Sequence, residues 1–151
     1  AEYAYAHQNV DLYEFEPDYT GISSRFKTEL TLHILHRMVT RFSKGEVPLS
    51  AEQFSQQLEI PVLLVQKILN EMVETGLVST TDSDGSQDPT FQPSSDINRW
   101  SIWTIIDALD RHGVNRLPVA EIETLKSIIR AMEELGSEIN RSDANRLLMD
   151  L

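Results

Sequence analysis

His33 and His36 stand three residues apart, with Glu29 one turn before His33. On a helix this spacing turns both imidazoles to one side, and imidazole and carboxylate are ligands that zinc accepts. No fourth ligand is evident and HExxH is absent, so the pair reads as polar-face histidines near Arg37. The stretch Asp82-Ser83-Asp84-Gly85-Ser86-Gln87-Asp88 sets carboxylates at alternate positions, like the opening of a calcium loop. Such a loop needs Gly at its sixth position and Glu at its twelfth. Gln87 and Pro93 stand there, which leaves the solvated tip of a hairpin. Hydrolysis requires an activated nucleophile or several convergent carboxylates on metal. GxSxG, a P-loop and GxGxxG are all missing, and the acids are scattered. The absence of cysteine removes disulfides, thiolate metal sites and a Cys nucleophile. No catalytic residue, metal or cofactor is expected.

A different chemistry, recognition, is offered by Gln66, Lys67 and Asn70. They lie in a run, LSAEQFSQQLEIPVLLVQKILNEMVETGLV, that reads as two short helices and a strand. A polar loop and FQP follow. The order helix, turn, second helix, strand, wing, strand over residues 49–93 is that of a winged helix-turn-helix. Ser50 with Gln53 three residues on forms a capping box. Pro61 suits the first turn of the second helix, where no amide donor is needed. Leu64, Val65, Ile68, Leu69 and Met72 mark its buried face. Gly76 is the expected cap that releases the chain into Leu77-Val78. Asp84-Gly85 predicts the wing turn. Pro89 and Pro93 bracket the returning strand and predict a short edge strand.

The charge of this module disfavours duplex DNA as a partner. Residues 45–93 hold one basic residue, Lys67, against eight acids: Glu46, Glu52, Glu59, Glu71, Glu74, Asp82, Asp84 and Asp88. The whole chain carries a formal charge of −11. Affinity for a duplex comes mainly from Lys and Arg that neutralise phosphates. The second helix also begins with Pro61, Val62 and Leu63, where a DNA reader presents polar side chains. These apolar residues predict a protein-contact patch. A basic stripe away from that face, Arg25, Lys27, Arg37, Arg41 and Lys44, is the alternative for nucleic acid.

Around the module, 151 residues suffice for one domain with an extension. Residues 1–21 form an aromatic, acidic arm in which Tyr5, Tyr13 and Phe15 are candidate contacts. Residues 22–95 hold the winged helix-turn-helix, and 96–151 a helical extension packed on it. A long helix is predicted from about Ile22 to Ser43 on the stripe Phe26, Leu30, Ile34, Met38 and Phe42, ended by Gly45. Val47-Pro48-Leu49 reads as a short strand or extended turn. Asp96 or Ser101 caps a later helix whose face is Trp103, Ile106 and Leu109. Another helix is predicted from Pro118 to Leu135, with stripe Ile122, Leu125, Ile129 and Met132, stopped by Gly136. Ser142 then caps a short terminal helix with Leu147 and Leu148. The fold class is mainly α, a winged helix-turn-helix with a small β wing and extra C-terminal helices. No apolar run in the chain spans a membrane.

AYAHQNVDLYEFEPD, ILHRMVTRFSKGEVPLSAEQFSQQLEIPVLLVQKILNEMVETGLV and FQPSSDINRWSIWTIIDALDRHG together resemble a known pattern. It is that of the cytoplasmic C-terminal region of the YihY/BrkB family of integral membrane proteins. The resemblance runs to about residue 113, with a weaker echo in ANRLLMDL. Tyr5 through Gln8-Asn9 to Tyr13-Glu14-Phe15 is its most specific part. It implies that membrane helices precede Ala1, that the arm joins the last span to the winged helix, and that the domain faces the cytoplasm at the bacterial inner membrane. The partner implied is the membrane domain of the parent chain; a second copy or another protein is the other expected partner, since winged helices often dimerise through flanking helices. The family often carries the label ribonuclease BN, which implies RNA processing, but no catalytic motif of the family maps onto these residues. The expectation is a non-enzymatic interaction or regulatory domain, with nucleic-acid binding as the alternative.

Overall fold

The computed structural model describes residues 21–82, 85, 87–115, 118–120 and 122–151. Helix α1 (Ser24–Ser43) starts where the Ser23 hydroxyl accepts from Phe26 N at 3.2 Å. Its buried residues are Thr31, Ile34, Leu35, Met38 and Val39. The Thr31 hydroxyl is satisfied by donating to Lys27 O. Phe26 and Phe42, the ends of the predicted stripe, are 50% and 45% exposed because the helix outruns the core at both ends.

Strand β1 (Leu49–Ser50) leads directly into α2 (Ala51–Leu58). The capping box is present: Ser50 Oγ accepts from Gln53 N, and Gln53 Oε1 accepts from Ser50 N at 2.9 Å. Glu59 closes α2 with φ 55°, and the Ser55 hydroxyl donates to Ile60 O across the turn. Helix α3 (Val62–Glu74) follows, with Pro61 one position before it as its cap. Leu64, Val65, Ile68, Leu69 and Met72 are all buried, as the periodicity requires. Gly76 takes φ 76°, a value that glycine adopts without penalty, and turns the chain into β2 (Val78–Asp82).

β2 and β3 (Pro89–Pro93) pair antiparallel as the wing, and β1 joins the other side of β3. The sheet order is β1-β3-β2, so β3 is central and not an edge strand as predicted. The prolines are accommodated because β1 reaches only Thr90 and Phe91. Pro89 and Pro93 lie at the ends of the pairing with β2, opposite Asp82 and Val78.

Beyond the wing, Asp96 caps a 3-10 turn (Ile97–Arg99) and Ser101 caps α4 (Ile102–Asp110), so both candidate caps are used. The buried face of α4 centres on Ile105, not on Trp103 and Ile106, which remain half-buried. Leu109 packs on the core from its margin. Helix α5 (Glu123–Arg141) runs through Gly136, which therefore does not stop it. A Cβ there would lie 3.3 Å from Cζ2 of Trp103, so this glycine lets α4 and α5 approach. Ser142 ends α5 and does not open a terminal helix; only a 3-10 turn, Leu148–Asp150, follows.

One core joins these parts. Ile34, Leu35, Phe54, Val65, Leu69, Met72, Phe91, Trp100, Ile105 and Leu148 belong to a single buried cluster. Leu148, almost at the C-terminus, is fully buried and its 3-10 turn packs against α1. No helix among the described residues is long and apolar enough to cross a membrane.

Candidate recognition surface

The buried stripe of α3 fixes its opposite face outward. Pro61, Leu63, Gln66, Lys67 and Asn70 are exposed there, and Val62 is half-buried at the start. Leu63 is 45% exposed, a large apolar side chain at the position where the helix leaves the turn. The six candidate contacts on α3 therefore lie side by side, with Gln66 and Asn70 one turn apart and Lys67 between them. Tyr5, Tyr13 and Phe15 of the arm fall outside the described residues. The 1–21 arm otherwise contributes only Gly21 to the described chain.

The electrostatics of the surface come from pairing as well as from counts. Lys27 on α1 forms an ion pair with Glu71 on α3, which removes one acid from the recognition helix. The basic stripe of α1 is largely occupied. Arg25 pairs with Glu29 at 2.7 Å and Arg41 with Glu46 at 2.6 Å. Arg41 also donates to Val47 O, which ties the end of α1 to the approach of β1. Arg37 donates from Nε and Nη2 to Gln57 Oε1 of α2. Arg37 and Arg41 thus brace α1 against its neighbours, whereas the Arg25 pair lies within α1 and is exposed.

The histidine pair holds no constellation for a metal. No group of three His, Asp or Glu side chains arranged to hold an ion occurs among the described residues. Burial, then the neighbouring charges of His33 and Arg37, pushes the His36 imidazole below its ordinary value. The wing tip is described only in part, so the arrangement of Ser83, Asp84 and Ser86 lies outside the described residues.

A second surface escaped the sequence reading. Helix α5 has no buried residue, although Ile128, Ile129, Met132, Leu135 and Ile139 lie along it. Its inner side and α4 border an open cleft of about 770 Å³, lined in part by Trp103, Asp107, Arg111, Met132, Glu133 and Asn140. Of the predicted stripe, Ile122, Ile129 and Met132 are exposed and Leu125 is half-buried.

The start of α4 is held by the segment that follows α5. Asn145 Oδ1 accepts from Trp103 N at 2.8 Å, and Arg146 O accepts from Ile102 N at 3.0 Å. Ser101 Oγ accepts from Thr104 N, and Thr104 Oγ1 accepts from Ser101 N. All four amides that a helix start leaves unpaired are thus satisfied.

No family model matches the chain, and no curated protein matches its sequence. Solved structures do match in fold. A Listeria innocua protein assigned as a transcriptional regulator has a TM-score of 0.53 at 14% identity, over 83% of this chain and 82% of its own. CymR of Staphylococcus aureus has a TM-score of 0.52 at 14% identity, over 82% of this chain and 96% of its own. CymR of B. subtilis, described as a global cysteine regulator, has a TM-score of 0.50 at 19% identity, over 77% of this chain and 86% of its own. The chain is a mainly helical winged helix-turn-helix domain, and its likeness to these regulators is one of fold.

Proposed function

We propose that this chain is a regulatory winged-helix domain that acts by binding a macromolecule through the outer face of α3. The observation that carries this reading is the make-up of that face. Leu63 is half exposed beside Pro61 and Val62, followed by Gln66, Lys67 and Asn70. An apolar start with a polar continuation suits a protein surface better than a phosphate backbone. The resemblance to the YihY/BrkB family supports placing this domain at the cytoplasmic face of the bacterial inner membrane, with the membrane part of its own chain as the first candidate partner. A hydrophobic span encoded just upstream of Ala1 is expected; its absence would remove the membrane part of the proposal.

Nucleic acid is the second reading, and two observations favour it. The structural neighbours include one protein named as a transcriptional regulator and one named as a global cysteine regulator, which weighs against the expectation that DNA is disfavoured. Gln66 and Asn70 also share the exposed face of α3, and side-chain amides are matched to adenine edges. One experiment separates the readings: selection from random duplexes at about 50 mM salt, where phosphate contacts are strongest. Enrichment of a sequence whose binding falls with Gln66→Ala and Asn70→Ala would establish the DNA reading and sink the protein-surface one. The RNA-processing version predicts cleavage of tRNA precursors with a divalent metal, and intact precursors would remove it.

A further inference from the structure

Helix α5 spans 19 residues and buries none of them. Leu125, Ile128, Met132, Leu135 and Ile139 follow one another at steps of three, four, three and four residues. That spacing draws a continuous seam along one side, the pattern by which one helix packs against another. Met132 and Leu135 are 68% and 63% exposed, and Ile128 and Ile139 are 51% and 44% exposed. α4 meets a neighbouring side, where Trp103 lies over Gly136. The seam stays exposed, and Met132 is its one residue that also borders the cleft with α4.

We infer that this seam is a self-association surface, on which a second copy of the chain lays its own α5 antiparallel about a twofold axis. An isologous contact needs a patch complementary to itself, and an apolar seam with regular spacing is one. The flanks permit close approach despite a chain charge of −11. Thr124, Ala131 and Glu138 border one side of the seam, with Ile129 and Gly136 on the other, so Glu138 is the one acid beside it. In the antiparallel arrangement Glu138 faces the Thr124 end of the partner. The same arrangement sets the two acidic bodies toward opposite ends of a helix about 28 Å long. A helix of that length and about 12 Å width, with the rim of α4 beside it, offers on the order of 500 Å² per chain, the lower limit for a specific interface. An anionic lipid surface is a poor occupant, because Glu123, Glu133, Glu134 and Glu138 outnumber Lys126, Arg130 and Arg141 on the helix. The pairing stands independently of what α3 binds.

Sedimentation equilibrium of the full chain tests it. The expected mass is two chains, twice 17.2 kDa. Leu135→Glu and, separately, Met132→Lys alter positions the fold leaves exposed, so the far-UV spectrum of the body should persist. Each should raise the dissociation constant about a hundredfold or more and return a single-chain mass. Arg130→Glu, on the opposite side of α5, should leave the dimer intact. The chain has no cysteine, so a mixture of Leu125→Cys and Ile139→Cys chains should cross-link as the mixed pair. A single-chain mass for the parent at high concentration, as when residues 1–20 or another segment cover the seam in cis, overturns the proposal. So does a dimer that survives Leu135→Glu, and self-pairing of each cysteine chain overturns the antiparallel arrangement.

Discussion

Asn145→Ala should loosen the C-terminal part of the molecule while leaving its core residues unchanged. Asn145 is half-buried and joins two helix ends at once. Its Oδ1 accepts from Trp103 N at 2.8 Å, and its Nδ2 donates to Asn140 O and Oδ1 at 3.1 Å. Alanine deletes both. Loss of an amide bond costs about 1 kcal/mol, and a part-buried N–H left dry adds up to about 2 kcal/mol more. The exposed bonds to Asn140 add a few tenths. A total of about 2 kcal/mol is expected, which lowers the melting midpoint by about 4–8 °C in a chain of this size. Asn145→Asp refines the test. Aspartate keeps the acceptor for Trp103 N and gains about 0.5 kcal/mol from the start of α4. It loses the donor and turns a carboxylate toward the carbonyl of Asn140 at the end of α5, so it should cost about 1 kcal/mol, less than alanine. The assay is urea unfolding followed by far-UV dichroism and by fluorescence of Trp100 and Trp103, the only tryptophans. An alanine variant within about 0.5 kcal/mol of the parent, or an aspartate variant less stable than alanine, would refute the tether.

Phe54→Ala should cost about 3–5 kcal/mol in urea unfolding, because the ring is 1% exposed and stands in the common core. An effect under about 1 kcal/mol would mean that the pocket closes around alanine. His36 has a folded pKa below the ordinary 6.5, first through burial. Its contribution is therefore fully present above pH 6.5 and is lost as pH falls through the lower folded value. His36→Gln should flatten that decline, seen as a smaller fall in melting midpoint between pH 7.5 and pH 5.5; an unchanged slope would assign it elsewhere. Gly136→Val sets a branched side chain where even a Cβ lies 3.3 Å from Trp103 Cζ2. The indole should become more accessible to iodide quenching, and unchanged quenching would show that α5 does not rest on it.

The winged helix was legible because its signals are local. Ser50 and Gln53 find each other within one turn, Gly76 bends the chain at its own φ, and the α3 stripe repeats on itself. The errors arose where the deciding partner is distant. Gly136 fits both a helix stop and a close approach, and only Trp103, 33 positions earlier, selects the second. The placement of β3 depended on β1, two residues that show no strand period of their own. Ser142 has the chemistry of a helix start but ends α5, since only a turn at Asp143-Ala144 separates it from the segment that carries Leu148 into the core. The α3 contacts could be picked as outward-facing from periodicity. The exposure of the α5 stripe could not, because a stripe announces a partner without saying whether it lies in the same chain.

The burial of Leu148 has a dynamic consequence. The segment that follows α5 is anchored: Leu148 is fully buried, Leu148 N donates to Trp100 O, and Leu147 bridges Ser101. Unzipping from the C-terminus would disrupt the core, whereas no residue of α5 would lose a buried environment if its N-terminal end lifted. The helix is therefore mounted like a gate hung at Asn145, and lifting its Glu123 end would leave the winged helix folded beneath it.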